Sequence, residues 1–138
     1  MRRALILAGT LAASCSVGMD VRVSGTPDAI VFEPLRSGSS EPREVKSVEV
    51  ADGGGRTLWS IQTTGAICVS LPRVRYGVTP EGFETLTPAT RLEPGRTYSV
   101  YVRACPANGG SWFRIVGNRI VYRDGLGDAP RAEVEAMQ

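Results

Sequence analysis

Three cysteines, at positions 15, 68 and 105, and a cluster of aromatic and cationic side chains near the C-terminus are the groups best equipped for chemistry in this 138-residue chain. The chain contains no histidine, which narrows that chemistry at once. Without an imidazole, Ser-His-Asp and Cys-His nucleophilic arrangements and the usual His-based zinc sites are out of reach. Paired carboxylates could serve glycosidic chemistry, and Glu81 with Glu84 is the nearest pair in sequence. Both fall in a Pro/Gly-punctuated stretch and read as solvated surface. Asp52-Gly53-Gly54-Gly55 lacks the strand-to-helix context and the lysine of a phosphate-cradling loop, so it reads as a hairpin turn. Asp124 and Asp128 would bind calcium only weakly, as two aspartates in a Gly-bearing tail. The sequence therefore predicts no catalytic residue, no metal site and no cofactor, and a protein that is not an enzyme.

What remains is binding. Trp112, Arg114, Arg119 and Arg123 form a candidate ligand-binding face, with Arg73 and Arg75 a smaller second set. Aromatic rings stack on sugars, and guanidinium groups fork around phosphate or carboxylate. The plainer reading is that arginine is this chain's preferred cation, at 15 Arg to one Lys, and that Trp112 covers a sheet edge.

The N-terminus says where such a face would work. Two arginines are followed by an apolar run over 4–13, and the small residues Ala12, Ala13 and Ser14 lead directly into Cys15. This is the pattern of a secretory signal, and it resembles bacterial lipoprotein signals, in which a cysteine after small residues is lipidated. The resemblance implies a signal peptide over 1–14, a lipid anchor on Cys15 and a short tether over 15–18. Ser16 is similar to the outer-membrane sorting pattern of Gram-negative lipoproteins. Ordinary cleavage after Ser14 fits the same small residues. Acylation of Cys15 leaves Cys68 and Cys105 as an even pair for a disulfide in an oxidising compartment. Each lies out of phase with its neighbouring apolar alternation, which places the bridge at a strand end or sheet surface. The apolar run is half of the roughly 20 residues that span a bilayer. Removing Arg2 and Arg3 leaves a formally neutral chain with no charge argument for nucleic acid.

The elements that must position these residues are short strands. Sixteen Gly and nine Pro between β-branched and aromatic runs favour one all-β domain over 19–124, followed by a mobile C-terminal tail over 125–138. Strands are predicted at 20–24, 29–33, 45–51, 57–63 and 99–104, with short apolar pieces at 67–71 and 74–77. The stretch 78–91 reads as irregular. Residues 111–116 and 119–123 form a hairpin around Gly117-Asn118. In its register Ile115 faces Ile120 and Phe113 faces Tyr122, with Trp112, Arg114, Arg119 and Arg123 on the opposite, outer face.

Leu92-Glu93-Pro94-Gly95-Arg96-Thr97-Tyr98, ahead of alternating Val100, Val102 and Ala104, resembles the fibronectin type III and immunoglobulin-like sandwiches. The resemblance implies a single antiparallel β-sandwich with Tyr98 as a tyrosine corner and Trp59 in the core. It implies no activity, since this fold hosts many tasks. The resulting expectation is a non-catalytic, membrane-anchored envelope lipoprotein acting as a binding or structural module. The alternatives are an accessory docking subunit of an envelope secretion or export machine, or a glycan- or lipopolysaccharide-binding protein.

Overall fold

The computed structural model of the protein describes residues 19–124. Ten strands and no helix are present among them: β1 (Met19–Thr26), β2 (Ala29–Arg36), β3 (Glu44–Asp52), β4 (Thr57–Thr63), β5 (Val69–Ser70), β6 (Val74–Arg75), β7 (Phe83–Thr87), β8 (Thr97–Ala104), β9 (Asn108–Val116) and β10 (Arg119–Asp124). They form two antiparallel sheets packed face to face, an all-β sandwich compatible with the immunoglobulin and fibronectin type III architectures. One sheet has the order β1-β2-β6. The other runs β10-β9-β8-β3-β4-β7, with β5 continuing beside β3.

Period-two alternation sets which side chains enter the core. Val21 and Val23 of β1, Ile30 and Phe32 of β2, and Val48 and Val50 of β3 are all buried, as expected where every second residue of a strand faces the opposing sheet. Trp59 and Ile61 of β4 and Tyr98, Val100 and Val102 of β8 complete the layer. An aromatic chain crosses it: Tyr98 meets Phe113 at 5.7 Å between ring centroids, Phe113 meets Phe32 at 5.6 Å, Phe32 meets Trp59 at 6.5 Å, and Trp59 meets Tyr76 at 5.3 Å. These separations suit offset and edge-to-face pairs.

The C-terminal hairpin has the predicted register, Val116 opposite Arg119, Ile115 opposite Ile120, Arg114 opposite Val121, Phe113 opposite Tyr122 and Trp112 opposite Arg123. Gly117 has φ of 60° and no non-glycine residue among those described has positive φ, so Asn118 completes a type II′ turn. The Tyr98 hydroxyl accepts a 2.8 Å bond from the Glu93 amide and lies 3.4 Å from the Glu93 carbonyl. That is the corner implied by the Tyr98 resemblance.

Two readings need correction or limit. The stretch 78–91 is not wholly irregular: β7 lies within it and pairs with β4 through Thr63–Phe83 and Gln62–Glu84. The signal, tether and tail readings, including Cys15 and Asp128, lie outside the described residues.

Candidate functional site

The ends of the long strands β1, β2, β3, β8 and β9 gather at two poles. Met19 and Arg36, Glu44, Ala104 and Asn108 gather at one, as the pairings of β1 with β2, β3 with β8 and β8 with β9 require. The Cys68–Cys105 bridge joins the chain just before β5 to the chain just after β8 at this end, with a Cα separation of 6.3 Å. The opposite pole carries the turns 27–28, 52–56 and 117–118 and the segment 90–96. β1 begins at the first pole, with Met19.

The four residues of the candidate face differ in exposure. Trp112 is half-buried on β9, and its Nε1 is buried with no hydrogen-bond partner. Arg119 and Arg123 are exposed on β10. Arg114, expected beside them on the surface, is only 6% accessible. It lies on the outer face as the register requires, but the turn 52–54 and the segment 95–97 flank it. Its Nη2 donates to Thr97 Oγ1 at 2.9 Å across the β8–β9 pair. Burying a guanidinium is costly unless its donors are engaged, and the Thr97 hydroxyl supplies one acceptor where β8 begins.

Arg114 instead lines a groove of about 280 Å³ with Asp52, Gly53, Gly54, Gly95, Arg96 and Thr97. The three glycines place no side chain in it. Asp52 Oδ1 is turned back on its own loop, accepting from the Gly54 and Arg56 amides, each at 2.9 Å. Arg96 Nε meets Glu93 Oε2 at 3.0 Å on the exposed rim. Thr97, Arg96 and the glycine turn escape a residue-by-residue reading, because only the pairings Asp52–Tyr98 and Thr97–Arg114 bring them together.

On the other side of the 91–97 segment lies a more apolar cleft of about 200 Å³ containing Ile30, Tyr76, Leu92 and Ile115, with Asp28 and Arg91 beside it. The Tyr76 hydroxyl donates to the Thr90 carbonyl at 2.5 Å, and burial pushes its pKa up to about 12. The phenol is thus neutral across the physiological range and acts as a donor. The loops and adjoining strand residues of this pole carry Arg56, Arg75, Arg91, Arg96, Arg114 and Arg119 against Asp28, Asp52 and Glu93, an excess of positive charge that favours anionic ligands.

The other sequence candidates are dispersed. Glu84 sits on β7, where its Oε1 accepts from Gln62 Nε2 at 2.9 Å, and Glu81 precedes that strand on the surface. Among the described residues no three His, Cys, Asp or Glu side chains gather as a metal set. Tyr101, 37% accessible and opposite Gly110, is an exposed aromatic that the sequence reading did not select.

No protein family, curated protein or solved structure matches the chain.

Proposed function

We propose that this protein is a lipid-anchored envelope lipoprotein whose β-sandwich serves as a non-catalytic binding module. The observation that carries the reading is Cys15, placed directly after Ala12-Ala13-Ser14 at the end of a secretory-type apolar run and four residues before β1. The Cys68–Cys105 bridge supports it, because persistent disulfides belong to oxidising compartments. With a tether this short, at most about 3.6 Å per residue, the domain stands close to the bilayer and turns its arginine-bearing pole outward.

Within the sandwich class, the strand order suits the immunoglobulin-like and fibronectin type III branches alike. β1-β2-β6 corresponds to strands A, B and E, and β3-β8-β9 to C, F and G, with the corner tyrosine on the F equivalent. The binding role itself rests on the cationic pole.

The test is intact mass and detergent partitioning of the protein made in a Gram-negative cell, beside Cys15→Ala. A diacylglyceryl mass increment and a detergent-phase location, both lost in the variant, are expected. A soluble, unacylated chain would end the anchoring claim.

A further inference from the structure

We infer that the groove between the β3–β4 turn and the Gly95–Thr97 segment is an oxyanion-binding site, with Arg114 as its fixed cation and Arg96 as its exposed one. The ligand chemistry is a carboxylate, sulfate or phosphate group, either free or carried on a polysaccharide.

Position is the first argument. A surface arginine on a flat sheet is a flexible, hydrated charge that must lose rotamer freedom to bind. Arg114 has already lost it. The side chain is 6% accessible, its Nη2 is held by Thr97 Oγ1 at 2.9 Å, and it still lines the wall of a solvent-open groove of about 280 Å³. A pre-positioned guanidinium binds an oxyanion with less ordering cost than a free one.

Space is the second. Gly53, Gly54 and Gly95 border the groove, so an anion's oxygens can approach without meeting a side chain. Charge is the third, and it sets the character of the site. Asp52 stands in the groove wall, but its Oδ1 is engaged by the Gly54 and Arg56 amides. Glu93 draws Arg96 outward through their 3.0 Å contact. An incoming anion competes with Glu93 for Arg96, so binding is weak for a small ion and gains from additional contacts. An acidic oligosaccharide supplies them: Trp112 lies two residues from Arg114 on the same face of β9, where a sugar ring following the anionic group would rest.

The site stands independently of the lipid anchor and is read by a different measurement. The full exported chain, purified in detergent and ¹⁵N-labelled, is titrated in low-chloride buffer with inorganic phosphate, then with an oligogalacturonate and its neutral counterpart. Saturable shifts of the Gly53, Gly54 and Gly95 amides and of the Arg114 Nε–H are expected. Arg96→Ala, an exposed change, weakens binding about threefold, the scale of a surface ion pair. Arg114→Lys keeps the charge but loses the planar guanidinium that Thr97 holds in place and weakens binding about tenfold. Tighter binding of oligogalacturonate than of phosphate identifies a glycan-borne anion; equal or weaker binding identifies the free ion. Absence of saturable shifts with either anion, shifts equal for the neutral sugar, or affinities unchanged by both variants overturns the proposal.

Discussion

At the scale of single residues, Tyr98 and Arg114 show how differently two side chains on paired strands can be read. Tyr98 announces itself: an aromatic that begins an alternating strand after a Pro-Gly turn has a local reason to reach back to that turn. Its hydroxyl engages the Glu93 amide at 2.8 Å, while its ring packs on Phe113. Tyr98→Phe keeps the ring and removes the hydroxyl, leaving a partly buried amide without its acceptor. The expected loss is about 1 kcal/mol of unfolding free energy in urea, and a neutral result would mean that water replaces the hydroxyl at no cost. Arg114 carries no such local signal. Alternation correctly assigns it to the outer face, but its burial depends on residues 52–54 and 95–97, which are remote in sequence and are brought to it by the β3–β8 and β8–β9 pairings. The disposition of the candidate site was therefore legible strand by strand, and its enclosure was not.

At the scale of elements, hairpins were legible because turn and pattern agree. The β1–β2, β3–β4 and β9–β10 connections each join alternating runs through residues that tolerate tight turns. β7 escaped because Phe83-Glu84-Thr85-Leu86-Thr87 lies between Gly82 and Pro88 and buries only Phe83 fully. An edge strand of this kind is specified by the backbone of its neighbour β4 rather than by its own apolar pattern. A second tertiary requirement sits at Gly109. A Cβ there would lie 2.3 Å from the Met19 carbonyl oxygen and 3.0 Å from its carbon. These are backbone atoms, so no rotamer change relieves the clash. β1 would have to move away from β9, disturbing the hydrogen bond from Ser111 Oγ to the Val21 carbonyl and the packing of buried Val21 and Val23. Gly109→Ala is expected to cost about 2 kcal/mol and to speed amide exchange in β1 selectively. Gly65→Ala, where a Cβ meets nothing within 4 Å, serves as the neutral control. Equal stability of the two variants would show that β1 does not need this close approach.

At the scale of the whole molecule, the sandwich has unequal halves: a three-stranded sheet covers one face of a much wider one. Only part of the wide sheet's area can therefore be buried against its partner, and a domain this small gains limited stability from its core. The Cys68–Cys105 bridge acts against that limit without enlarging the core. Cys105 is exposed, and the bridge lies at strand ends outside the apolar cluster. Its contribution should thus come mainly through the unfolded chain, where it closes a loop with a sequence separation of 37. The loop-entropy relation puts that contribution at about 4 kcal/mol, a large share of the 5–15 kcal/mol typical of a domain. Two consequences separate this account from one based on native contacts. Replacing both cysteines by serine should lower the unfolding free energy by about that amount, and it should raise the urea m value, because the uncrosslinked chain exposes more surface when unfolded. Wild-type protein under strong reductant should coincide with the double variant in both quantities. A stability loss below about 1 kcal/mol, well under the loop-closure figure, would mean that β3, which lies between β5 and β8, already holds the joined segments together without the bridge.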